Sequence, residues 1–126
     1  MAENKNEIGK FVWHDLTVDN AEQVKDFYSK VIGWKAADHD MGEYNDYDIH
    51  LPETDDVVAG ICHARGSNAN LPPQWLIYVT VEDVNKSAAL CKANGGKIVD
   101  GPRKMGEYNF CVIQDPAGGV IALISK

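Results

Sequence analysis

MGEYN occurs twice in the chain, at Met41–Asn45 and again at Met105–Asn109, about half the chain apart. A five-residue repeat means a duplicated unit only if its flanks match as well. Before it, FVWHDLTV (Phe11–Val18) falls on QWLIYVTV (Gln74–Val81), and both are β-branched and aromatic runs of strand length. Next, Asp19–Gly33 falls on Glu82–Gly96, two stretches with helical spacing. Ala21, Val24, Phe27, Tyr28 and Val31 make the apolar stripe of the first, and Val84, Ala88 and Cys91 that of the second. Asn20 with Gln23 resembles a capping box, while Gly33 and Gly95–Gly96 suit helix ends.

Each helix leads to a strand, WKAADHD (Trp34–Asp40) or KIVDGPRK (Lys97–Lys104), and then to MGEYN, whose glycine supplies the turn. Two strands follow each copy, YDIHL and VVAGICHA in the first half, FCVIQ and GVIALIS in the second. RGSNANLPP (Arg65–Pro73) has linker composition. The expected order is βαβββ–linker–βαβββ, with a polar tail at 1–9, module one at 10–65, a linker at 66–73 and module two at 74–126.

Composition sets outer limits. With 126 residues, 44% of them hydrophobic and 25% charged, the chain is expected to form one domain with a real core. The net charge is −7 and the only arginines are Arg65 and Arg103, so the basic footprint of a nucleic-acid binder is missing. No apolar run approaches the roughly 20 residues that cross a bilayer, and the polar start MAENKNEIGK has no secretory h-region. Cys62, Cys91 and Cys111 are odd in number and lack C-x-x-C spacing, which fits core packing in a reducing compartment. A cytoplasmic protein is expected, with no membrane and no nucleic-acid partner.

The order and the stretches WHDLTVDNAEQVKDFYSKVIGW, WLIYVTVEDV, GGKIVDGP and DPAGGVIAL together resemble the vicinal oxygen chelate superfamily of glyoxalases, bleomycin-resistance proteins and dioxygenases. The resemblance runs from Phe11 to Ile124. It implies an α+β fold in which two tandem βαβββ modules form a curved mixed sheet, an incomplete barrel, around a cavity. It also implies a homodimer. The family's metal enzymes take histidine, glutamate or glutamine ligands from four strands. Matched across the repeat, those positions here carry Trp13, Ala59, Leu76 and Ala122, none of which binds a divalent ion. No metal and no other cofactor is therefore expected.

Strand alternation assigns faces. Ile77, Val79 and Val81 are uniformly apolar and are assigned to the helix, leaving Leu76, Tyr78 and Thr80 for the cavity. Across the repeat, His14 then falls on the helix side and Trp13 and Asp15 on the cavity side. His14 has two readings, a hydrogen-bonded structural histidine or, after a one-residue slip, a cavity ligand. In the third strands Asp48 and His50 share the cavity face, matching Val112 and Gln114, while Asp46 matches Phe110. His39 and His63 read as solvated, and Trp34 and Trp75 as packing residues. The turn at Asp115–Gly118 lacks the glycine spacing and lysine of a phosphate loop.

The favoured function is a protein that binds a small molecule without metal, with Trp13, Asp15, Asp48, His50, Tyr78 and Phe110 as contacts and no assigned catalytic residue. An acidic chain suits a cationic ligand. The alternative is a lyase, isomerase or dioxygenase dependent on Zn, Ni, Mn or Fe, with ligands from His14, Asp15, Asp48 or His50. A third reading uses the cavity without metal, with His50 or Asp48 as general base.

Overall fold

Why the two halves fold alike is visible at their glycines and their apolar alternation. The computed structural model describes residues 7–126. Most of the expected tail at 1–9 lies outside the described residues. The elements run β1 Phe11–Val18, α1 Ala21–Ile32, β2 Lys35–Asp40, β3 Asn45–His50, β4 Val57–His63, β5 Trp75–Thr80, α2 Val84–Ala93, β6 Lys97–Met105, β7 Tyr108–Gln114 and β8 Val120–Ser125. This is the α+β order expected, βαβββ twice. A single 3-10 turn, Gly66–Asn68, interrupts the linker, and Leu71 within the linker is buried.

The chain divides into two compact units. One comprises His14–Trp75, the other Leu76–Lys126 together with residues 7–13. In the first, the strand order is β2-β3-β4-β1, with β1 parallel to β4 and the other pairs antiparallel. In the second it is β5-β8-β7-β6, with β5 parallel to β8 and the rest antiparallel. The same mixed topology is therefore built twice. MGEYN marks the equivalent hairpin turn, β2–β3 in one unit and β6–β7 in the other. Gly42 and Gly106 both hold positive φ there, 96° and 62°, a region that costs glycine nothing.

Each helix covers one face of its sheet. Leu16, Tyr47, Ile49, Ala59 and Ile61 pack with Ala21 of α1, joined by half-buried Val18, Val24, Tyr28, Trp34 and Trp75. The Trp75 indole N–H donates to Tyr28 Oη at 3.0 Å, and the rings of Tyr28, Trp34 and Trp75 pack edge to face or tilted. Both tryptophans are packing residues, as expected. In the second unit Val84 and Ala88 of α2 pack on Cys111 and Leu123, with Val79, Val81, Ile98, Ile113 and Ile121 around them. Ile77 departs from its expected place. It is 37% exposed and outside that cluster, because α2 covers only the later part of β5.

Helix ends follow the sequence in part. Gly33 closes α1 with φ 88° and donates its N–H to Ser29. Asp83 caps α2, its carboxylate accepting from the N–H groups of Asn85 and Lys86. The expected capping box on α1 is not formed. Asn20 makes no cap bond to the backbone, and its amide donates to the Gln23 side chain at 3.0 Å instead.

Candidate functional site

Opposite each helix lies a second sheet face, and the two modules dress it differently. In the first, the register aligns Asp15 with Gly60, Gly60 with Asp48, and Asp48 with Ala37. Cys62 pairs with Thr17 and Asp46 with His39 in the adjoining positions. In the second, the matching row is Tyr78, Ala122, Val112 and Asp100, followed by Thr80, Ile124, Phe110 and Arg103. One helix-free face is acidic and the other apolar with an ion pair at its edge.

The acidic face is built by β3, whose sequence Asn-Asp-Tyr-Asp-Ile-His alternates so that Tyr47 and Ile49 enter the core and Asp46 and Asp48 face away from α1. Asp48 accepts from His39 Nδ1 at 3.2 Å. Asp46 is buried and accepts from the His63 N–H at 2.8 Å, with the His63 ring at 3.2 Å. Gly60 lacks the side chain that would block the face: a Cβ there would lie 2.6 Å from Asp15 Oδ1. Asp15 thus rests across β4 beside Cys62. Burial pushes the Cys62 thiol far up, and the charges of Asp15, Asp46 and Asp48 and a hydrogen bond to Asp46 push it further. Burial and the neighbouring carboxylates together favour the neutral thiol at Cys62.

The histidines divide. His14 Nδ1 lies 3.1 Å from the Val58 carbonyl oxygen and donates to it, the hydrogen bond of the structural reading. His50 Nδ1 donates to the Asp55 carbonyl at 3.0 Å and anchors the β3–β4 loop, where Asp55 itself has φ 64°. His39 is exposed, as expected, but paired with Asp48. His63 was expected to be solvated, yet its side chain is only 20% exposed, held by Asp46 and flanked by the rings of Tyr44 and Tyr47. Among the described residues no three His, Cys, Asp or Glu side chains converge as a metal-binding group. Asp15 and Asp48 share a face; His14 does not join them, and His50 is turned to its loop.

One expected position moves. Ala59 pairs with Ile49 and packs against α1, so it is Gly60 that occupies the helix-free row equivalent to Ala122. The register shift between Ile49 and His50 against β4 is the cause, since a slip of one residue exchanges faces.

On the second module's face, Tyr78 and Phe110 are buried with ring centroids 5.8 Å apart. The Arg103 guanidinium stands 4.8 Å over Phe110 and holds Asp100 through Nε at 3.0 Å and Nη2 at 2.9 Å. Tyr78 and Phe110 were expected as ligand contacts; here they are stacked on each other. Trp13, two residues before Asp15 on β1, is half-buried.

The sequence pattern of the glyoxalase/bleomycin resistance protein/dioxygenase superfamily matches residues 8–123. The chain belongs to this superfamily. Two curated relatives, from Mycobacterium bovis and Mycobacterium tuberculosis, carry the provisional name glyoxylase CFP32 and are 26% identical over 120 residues, 94% of this chain. The chain spans 45% of their length. Among solved structures it is similar to a superfamily member from Vibrio splendidus 12B01, with TM-score 0.56, 11% identity, and coverage of 90% of this chain and 97% of that one. It is also similar to the methylmalonyl-CoA epimerase of Mycobacterium tuberculosis, with TM-score 0.54, 12% identity, and coverage of 97% and 91%. At these identities the structures share the fold. Among the described residues no helix is long and apolar enough to cross a membrane.

Membership raises the question of the metal used by enzymes of this superfamily. At the four strand positions the resemblance points to stand Trp13, Gly60, Leu76 and Ala122. None offers an oxygen, sulfur or imidazole nitrogen, so the side chains there do not fit a divalent ion.

Cys62 yields a pH prediction. Its thiol ionises at higher pH in the folded chain than in the unfolded one. The folded state therefore holds a proton that the unfolded state sheds, and stability falls as pH rises beyond the unfolded thiol value of about 8.5. Cys62→Ser keeps a hydroxyl for Asp46 but does not titrate. Urea unfolding between pH 8 and 10.5 is expected to show a shallower alkaline loss in Cys62→Ser, by up to about 1.4 kcal/mol per pH unit. Equal slopes would refute the assignment.

Proposed function

We propose that the protein binds a small organic cation, an amine, on the helix-free face of its first module, and does so without the divalent metal of the superfamily's enzymes. The observation that carries this is the register that sets Asp15 and Asp48 on either side of the bare backbone of Gly60, on the sheet face turned away from α1. Partly buried carboxylates make charge-assisted hydrogen bonds about twice as strong as neutral ones, and His63 already occupies Asp46. Asp48, whose partner is the exposed His39 ring, and Asp15, which shares its row across Gly60, are the pair proposed to meet the ammonium group. The expected cytoplasmic homodimer belongs to the same proposal.

The test is calorimetric titration with benzylammonium, with phenylacetate as the oppositely charged control, alongside metal analysis of protein purified without chelator. Benzylammonium binding that weakens about tenfold in Asp15→Asn and in Asp48→Asn supports the proposal. Near-stoichiometric Zn, Ni, Mn or Fe that is lost on substituting Asp48 or His50 would replace it with the metal-enzyme reading.

A further inference from the structure

One carboxylate of the amine site is already held by a side chain of its own sheet. β2 is the outer strand of the first module's sheet, and its register sets Ala37 opposite Asp48 and His39 opposite Asp46. Opposed residues share a face, so Ala37 and His39 lie on the helix-free side with the two carboxylates. Ala37 brings only a methyl group beside Asp48, and the His39 ring reaches Asp48 diagonally. Its Nδ1–H donates to Asp48 Oδ2 at 3.2 Å. The neighbouring pair, His63 with Asp46, has the same chemistry in a different setting. Its side chains are 20% and 9% exposed, and Asp46 accepts from both the backbone N–H and the ring of His63. The side chains of His39 and Asp48 are 56% and 40% exposed. An exposed pair of this kind is weak. Rotation about χ1 of His39 would pass the ring into solvent, where water takes the place of Asp48, and the β2 backbone would not have to move.

We infer that His39 is an intramolecular stand-in for the amine: its ring N–H holds Asp48 in the free protein and is displaced when the ligand's ammonium arrives. The exchange favours the ligand because the imidazole serves Asp48 through one N–H, whereas a primary ammonium carries three donors and can serve Asp48 and Asp15 together. His39 thus sets the affinity of the acidic face for amines. This rests on the reading that this face takes an amine, and it adds the residue that regulates that site.

The experiment is calorimetric titration of benzylammonium into wild type, His39→Phe, which keeps a ring without an N–H, and His39→Ala, all in one buffer. Both variants are expected to bind the amine about threefold more tightly than wild type, the scale of one exposed ion pair. With Asp48→Asn as the background the stand-in has no carboxylate to hold, and adding His39→Phe is expected to change affinity by less than about 1.5-fold. A proton–nitrogen correlation spectrum of the histidine rings gives an independent readout: the His39 Nδ1 signal is expected to move on saturation with benzylammonium. Unchanged affinity in His39→Phe overturns the inference, since the ring then stays in place. Weaker binding overturns it too, because His39 would then position Asp48 for the ligand. So does a gain confined to His39→Ala, which would assign the effect to bulk, or an imidazole signal unmoved at saturation. If wild type binds benzylammonium and His39→Phe shows no gain, this inference falls alone. If neither wild type nor the His39 variants bind it, the proposed function falls as well.

Discussion

A Gly101→Val variant is expected to lose about 3 kcal/mol or more of stability, read as a fall on the order of 10 °C in melting temperature. Gly101 holds φ 87° within β6, where a β-branched residue is a severe outlier. A Cβ at this position would lie 2.7 Å from the Phe110 carbonyl oxygen, 3.1 Å from the Arg103 nitrogen and 3.3 Å from the Cys111 Cα. All three are backbone atoms, so no side chain can yield. The register of β6 on β7 shifts between Asp100 and Arg103, and this irregularity lets those two residues pair. Pushing the strands apart would therefore also release Arg103 from Asp100 and from the Phe110 ring. Gly106→Ala is the control: φ is 62° and nothing lies within 4 Å, so only the backbone cost of about 1 kcal/mol applies. A melting temperature for Gly101→Val within 2–3 °C of wild type would refute the packing account.

The same two positions show what can be read before a structure. Gly106 was legible because it sits in MGEYN, and the repeat with its matched flanks gives module order, hairpin turns and the Gly33 helix end. Strand faces were legible where alternation is clean, as at Val79 and Val81 against Tyr78. They were not legible in VVAGICH, where six small or apolar residues in a row leave the phase open and a register shift beside His50 decides it. Gly101 carries no such pattern, because its need for a bare Cα comes from its own positive φ and from the close approach of the β7 backbone at Phe110 and Cys111. The site was legible in proportion. Asp15 and Asp48 share a face as the alternation required, but Asp46, His63 and Cys62 gained their roles from partners on other strands. An isolated glycine inside a strand was the available signal for Gly60, since it marks close approach by another group.

Gly60 provides the sharpest test of the acidic face, because changing it alters no charge. Gly60→Ala is expected to fold, to melt within a few degrees of wild type, and to bind benzylammonium at least tenfold more weakly. The difference from Gly101 is physical. Gly60 does not hold a positive φ, and its added Cβ would meet Asp15 Oδ1 at 2.6 Å and Cγ at 3.6 Å. These are the end of a side chain, which can rotate aside at little cost, whereas the backbone carbonyl facing Gly101 cannot. Rotation removes Asp15 from β4 and separates it from Cys62 and from the row it shares with Asp48. Two readouts then move together. Amine affinity drops, and the Cys62 thiol loses one of the charges that push it up, so the alkaline stability loss becomes shallower. Asp15→Asn removes the same charge without adding volume and should match Gly60→Ala in both readouts. If Gly60→Ala keeps wild-type amine affinity while its alkaline slope changes, Asp15 has moved without consequence for the ligand, and the ammonium contact must be assigned to Asp48 without Asp15.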